Sequence, residues 1–254
     1  MTIAVVNTKG GASKSTVAFQ VAAASFLAKK QEVQLIEFDD ENKDSETFSN
    51  SKIKSSQVEI GDGTDVDEVL KDTILVPKDK NIVIDVGGNK TTTIILDGLK
   101  KTRLYRKIDL FIIPMSGGYQ DLKNAEKTYE MIKGFGVPVI FALSRVRNPK
   151  RLQFQYGDFF RAFPEAGYLI LSESDVIDLS RQRGKSVYEI SHDEEEKKIL
   201  ENALDKAFDA DNNLRIGQIS TLLQIYDESE AYVEKILSPA FKVIEQKVTD
   251  GCQA

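Results

Sequence analysis

The 254-residue chain has one cysteine and one histidine. With Cys252 alone, no disulfide can close within the chain, and no zinc or iron–sulfur site can be built from its cysteines. A reducing cytoplasm is the expected setting. With His192 alone, and no nucleophile motif beside it, a Ser-His or Cys-His hydrolytic arrangement is not legible. Long apolar runs are lacking too: none approaches the roughly 18 residues of a membrane span. The N-terminus enters an apolar strand without the layout of a secretory signal, so a soluble chain is expected and no membrane partner. Positive charge is in deficit, 34 Lys/Arg against 40 Asp/Glu. A net charge of −6 argues, taken alone, against nucleic acid as a partner. The deficit is uneven, however. Residues 100–161 hold 13 Lys/Arg and 5 Asp/Glu, whereas residues 189–254 hold 7 and 15. Such segregation permits a basic face on an acidic protein, and ordinary solvated helix faces account for it equally well.

What is present fits one α/β unit with a full core: 41% apolar and 29% charged residues. Short β-branched runs (Ile3–Val6, Val33–Glu37, Asn81–Val86, Leu110–Pro114, Val137–Leu143, Leu169–Leu171) alternate with helical patterns. Connections of that length require parallel pairing through right-handed crossovers, which gives a doubly wound, mostly parallel sheet. Residues 42–63 are polar with few apolar anchors and are expected to form a long surface loop. A short helix is expected near Asp65–Lys71.

The first strand leads into Thr8-Lys9-Gly10-Gly11-Ala12-Ser13-Lys14-Ser15-Thr16, and a small-residue helix follows to about Ala28. Strand, glycine loop and helix are the parts of a phosphate cradle, with backbone N–H groups and the positive helix end converging on an anion. In that arrangement Gly10 to Thr16 bind the phosphates, Lys14 reaches the terminal ones, and the Ser15 hydroxyl ligates Mg²⁺. Thr8 and Ser13 stand where the general P-loop pattern has its two glycines. Further along, Ile82-Val83-Ile84-Asp85-Val86-Gly87-Gly88 is an apolar strand ending in a carboxylate suited to hold Mg²⁺, followed by a glycine pair that lets backbone approach a γ-phosphate. Glu37, Asp39 and Asp40 close the second strand, where carboxylates face the crevice of such a sheet.

The set Lys-Gly-Gly-x-x-Lys-Ser-Thr resembles the deviant Walker A loop of the ParA/MinD family of ATPases, most nearly the small plasmid-type ParA proteins, over about residues 1–190. The resemblance implies ATP and Mg²⁺ as cofactors and a homodimer enclosing two nucleotides, with Lys9 crossing to the partner's nucleotide. It implies that Asp39, preferred to Asp40, lies near the attacking water and the metal, beside Ser15 and Asp85. The catalytic set is then Lys9, Lys14 and Asp39. By resemblance the activity is ATP hydrolysis, weak until stimulated by a ParB-like or centromere-binding adaptor. The ATP-bound dimer would hold DNA nonspecifically on the nucleoid, to segregate or position DNA or other cargo. The family usually has Gly at the place of Ser13, Asp at that of Glu37, and often an Asn near Ser144. A MinD-like positioning ATPase and a metabolic ligase of the same fold are the alternatives.

Candidate DNA contacts are Arg147, Lys150, Arg151 and Arg161, interleaved with Phe154, Tyr156, Phe159 and Phe160 on a helix whose aromatics read as its buried face, and Arg181, Arg183 and Lys185 further on. Gly184 reads as a helix C-cap, while Ser172–Asp175 and Ser191–Glu194 have the spacing of capping boxes. Residues 191–254 read as an acidic helical region packed on the 1–190 core, with Pro239 interrupting or restarting its last helix.

Overall fold

The computed structural model describes residues 1–38, 47–61, 63–77 and 80–251. Seven strands form one all-parallel sheet: β1 (Thr2–Val5), β2 (Gln34–Phe38), β3 (Lys54–Val58), β4 (Ile82–Val86), β5 (Leu110–Met115), β6 (Val139–Val146) and β7 (Tyr168–Ser172). Their spatial order is β3-β2-β4-β1-β5-β6-β7. Every residue of β1, β4 and β5 is buried, as strands covered by helices on both faces must be. Because β4 and β5 flank β1 on either side, the chain winds outward in both directions from β1, and the crevice of a doubly wound sheet opens at its carboxyl end.

The helix after β1, α1, covers residues 14–28 and has a π-helical stretch at Ala18–Ala23. Its Ala18, Ala22, Ala23 and Ala24, all buried, let it press closely on the sheet. On the other face lie α2 (Val66–Ile74), α3 (Asn89–Thr102), α4 (Tyr119–Ile132) and α5 (Leu152–Ala162), which share a second core with β4, β5 and β6. After β7 come α6 (Asp175–Arg183), the short α7 (Val187–Ile190) and α8 (Glu194–Asp209). A final helix, α9, runs over 39 residues, 213–251. Its Leu237, Phe241 and Ile244 enter the same core as Ile3, Val5 and the alanines of α1.

Four sequence expectations are corrected. The stretch 42–63 is not loop throughout: Lys54–Val58 is an edge strand pairing with β2. Its Ser55, Ser56 and Gln57 carry no apolar pattern, because only one side of an edge strand is paired and its faces are only half covered. The caps of α6 and α8 are Ser174 and Asp193, two residues past the positions the spacing suggested, and the reciprocal capping box is Ser186 with Glu189. Pro239 does not break α9. A π-helical turn at Val233–Leu237 precedes it and takes up the hydrogen-bond mismatch that proline imposes. Finally, Phe154 is 94% exposed, whereas Tyr156 and Phe159 are buried as expected.

Candidate functional site

The loop between β1 and α1 is held from below by side chains that the sequence did not mark. Asn7, fully buried, donates to the Pro114 carbonyl at 2.6 Å and accepts from the Lys9 N–H at 2.8 Å. The Thr8 N–H donates to Thr128 Oγ1 at 3.0 Å, and Thr92 Oγ1 donates to the Asn7 carbonyl at 3.0 Å. The Asn89 N–H reaches the Thr8 carbonyl at 2.8 Å. Strand β5 and helices α3 and α4 thus all tie down the start of the loop. Lone Asn and Thr residues at strand and helix ends are too common to signal this.

Inside the loop, Gly11 has φ of +72° and Ser13 φ of +63°, both left-handed. At Gly11 no Cβ stands in the way of that conformation; Ser13 bears the steric cost of a side chain in a region that glycine fills freely. The Lys14 side chain folds back so that its Nζ donates to the Lys9 carbonyl at 3.0 Å. Gly88, after β4, lies against the loop: a Cβ there would meet Gly10 Cα and N at 3.0 Å. The two glycine segments that the sequence offered as phosphate contacts are therefore in direct backbone contact.

Together these residues form a cavity of about 710 Å³ at the carboxyl end of the sheet. Gly10, Gly11, Ser13, Lys14, Ser15 and Thr16 line one side, Asp85, Gly87 and Gly88 another, and Ser144, Arg145 and Arg181 a third. Ala12 is buried behind the loop. Asp85 is 3% exposed and in register with Glu37 on β2 and Val5 on β1. Hydroxyl and carboxylate oxygens, Ser15 and Asp85, are the donor set of a hard cation such as Mg²⁺, so these residues fit that ion. Among the described residues no group of three or more His, Cys, Asp or Glu makes a metal site without help. Asp39 lies outside the described residues.

The other predicted positions separate into three groups. Lys9 forms an ion pair with Asp121 in the first turn of α4, a partner not predicted from the sequence. Arg181 joins the cavity, its Nη2 donating to Thr16 Oγ1 at 3.1 Å. Arg183 and Lys185 instead pair with Glu196 and Asp193 at the start of α8, and Arg161 pairs with Asp158 one turn back. Arg147, Lys150 and Arg151 are exposed beside the β6–α5 turn. Gln155 fixes that turn, its amide donating to the Arg145 carbonyl at 2.8 Å and accepting from the Arg147 N–H at 3.1 Å. Gln155 also presses on Gly117, before α4, so the exposed rings of Phe154 and Tyr119 are carried by neighbouring turns. Tyr156 donates to the Ser144 carbonyl; burial raises its pKa far above that of a free phenol and keeps it a donor.

No protein-family model and no curated protein matches the chain by sequence. Solved structures match it by shape. A protein assigned to plasmid partition in Borrelia burgdorferi B31, solved with AMPPNP, is 14% identical with a TM-score of 0.51, over 89% of this chain and 98% of that one. The MinC:MinD cell division complex of Aquifex aeolicus gives 12% identity and a TM-score of 0.55, over 76% and 88%. A nucleotide-binding protein of Archaeoglobus fulgidus, in complex with ADP, gives 12% and 0.52, over 72% and 86%. The chain has the α/β P-loop fold of ParA/MinD-type structures. No helix among the described residues is long and apolar enough to cross a membrane.

Proposed function

We propose that the chain is an ATPase of the ParA/MinD type, whose ATP-bound homodimer holds DNA without sequence preference and releases it after hydrolysis. The observation that carries this reading is the cavity in which Lys14, Ser15, Asp85 and the touching glycines Gly10 and Gly88 converge. In it Lys14 would bind the terminal phosphates, and Ser15 and Asp85 would hold Mg²⁺, which neutralises charge developing on the β- and γ-oxygens. Asp39 would orient the attacking water. Gly87 and Gly88 carry the γ-phosphate's presence or loss into the neighbouring backbone. Lys9 would serve a second nucleotide across a homodimer, leaving its ion pair with Asp121 to do so. Catalysis of this kind is positioning and electrostatics, with slow turnover until an adaptor protein of ParB or centromere-binding type completes the site.

Support for a DNA-bound dimer comes from one surface. Exposed Arg147, Lys150 and Arg151 lie beside the exposed rings of Phe154 and Tyr119, at the end of the sheet where the cavity opens. Cations there would contact phosphates without reading bases. The test is binding of random-sequence duplex DNA with ATP, with ADP and without nucleotide, over a salt series. ATP-dependent binding that weakens steeply with salt is the expected result. ATP turnover without DNA binding in any state would move the role to a membrane or protein cargo of the MinD kind, or to metabolism. Lys14→Ala is expected to abolish nucleotide binding, measured by titration calorimetry, while Lys9→Ala spares binding by the monomer and prevents the ATP-dependent dimer.

A further inference from the structure

The guanidinium of Arg181 reaches the phosphate loop from a helix 165 residues further along the chain, and its anchor there is Thr16. We propose that Arg181 is a nucleotide-binding residue supplied within the same chain, its guanidinium taking an oxygen of the non-terminal phosphates. The inference rests on the reading of the cavity as a nucleotide site.

The placement is firm while the contacts are exchangeable. Gln20, 1% exposed on α1, donates to Ser180 Oγ at 2.7 Å and accepts from the Val187 N–H at 2.8 Å. Those two bonds lock α6 and the start of α7 against the loop's own helix, and Ser180 is the residue before Arg181. The side chain of Arg181, in contrast, is 49% exposed, and among the described residues it bonds a neutral hydroxyl and Asp178, at 3.2 Å, whose own side chain is 70% exposed. An ion pair so open to water is easily exchanged. A phosphate offers two oxygens to the fork of a guanidinium and makes the stronger, charge-assisted bonds.

Which phosphate follows from the anchor. Lys14 is the residue for the terminal phosphates and Ser15 for the cation between the outer two. Arg181 is tied to neither but to Thr16, the next residue into the helix, on the inner part of the phosphate chain. Arg183 and Lys185, two and four residues on, have their charges met by Glu196 and Asp193. Arg181 is thus set apart from the basic cluster in which the sequence placed it. Asp178, Asp175 and Glu173 also line the cavity, and Arg181 offsets their charge on that wall for an incoming polyanion.

The test compares dissociation constants of unlabelled ATP and ADP for the wild-type chain, R181Q, R181K, the double variant R181Q/D178N, and R215Q as a surface control at an exposed position of α9. Wild-type binding comes first: a chain that binds neither nucleotide overturns the nucleotide reading and this inference with it. Given binding, R181Q is expected to weaken ATP and ADP alike by roughly tenfold. R181K should fall in between, and R215Q should match wild type. The double variant should stay weak, since removing the repulsion of Asp178 does not restore a missing contact. Wild-type affinity in R181Q overturns the inference, as does recovery in R181Q/D178N. Loss confined to ATP overturns the assignment to the inner phosphates. Thermal unfolding of each variant, expected to match wild type at a half-exposed position, separates binding loss from misfolding; should R181Q not fold, R181K carries the same comparison.

Discussion

Ser13 is a side chain in a glycine's conformation. At φ of +63° its Cβ crowds the following carbonyl, a cost of about 1 kcal/mol that glycine would not bear. Ser13→Gly is therefore expected to raise the melting temperature by about 2–4 °C, measured by calorimetry, against the usual tendency of glycine to loosen a chain. The departure from the family's glycine was visible in the sequence; its backbone consequence was not, because φ depends on how Asn7, Thr8 and Thr92 hold the loop. Gly88 poses the opposite case. A methyl group there meets Gly10 backbone at 3.0 Å, so Gly88→Ala must displace the phosphate loop by a few tenths of an ångström. Its ATP affinity is expected to fall several-fold with little change in unfolding temperature.

At the scale of elements, the first turn of α4 holds the lysine that the proposed dimer would use. Asp121, with its side chain 11% exposed, pairs with Lys9 within the chain, so the proposed dimerisation would have to break that pair. Asp121→Asn is expected to shift the ATP-dependent monomer–dimer equilibrium toward dimer, read by analytical ultracentrifugation. No shift would show that Lys9 is not released on assembly. The start of α8 gives a pH-dependent counterpart. Burial opposes ionisation of Asp193, yet the Lys185 hydrogen bond, the Glu196 N–H and nearby lysine charge together hold its carboxyl below the ordinary 3.8. Lys185 is raised above its ordinary 10.5, first by its hydrogen bond to Asp193. A lowered carboxyl stabilises the fold above its unfolded value and loses that contribution as pH falls through the lowered one; a raised ammonium stabilises below its unfolded value and loses it as pH rises. Exchange protection of the first turn of α8 is expected to be flat between 3.8 and 10.5 and to fall outside them. Asp193→Asn keeps a capping side chain and removes the acid limb.

Most elements were legible because buried parallel strands and their helices announce themselves: Leu110–Met115 is apolar throughout, and Ile82–Val86 is apolar but for Asp85. The edge strand β3 was not, since Ser55, Ser56 and Gln57 owe their conformation to β2 and not to their own preference. Of the site, Lys14, Ser15, Asp85 and the glycines could be read from spacing. Asp121 could not, nor could the place of Arg181, because each depends on a contact more than 100 residues away in sequence.

For the molecule as a whole, α9 decides whether the rest can stand alone. Leu237, Ala240, Phe241 and Ile244 belong to the end of α9 that packs on β5, β7 and α1, so a chain cut at residue 190 would open that core to water. Such a truncation is expected to be insoluble, checked by the soluble fraction it leaves on expression beside the intact chain. The strand order has a consequence for how the protein comes into being. β1, first of the seven along the chain, is the middle of the finished sheet, and its neighbours are β4 and β5. During synthesis it has to wait for some 110 residues to emerge before both of its edges are paired. The phosphate loop that follows it, anchored to Pro114 and Thr128, is translated early and takes shape late, which leaves this segment without its native contacts for longer than the strands that flank it.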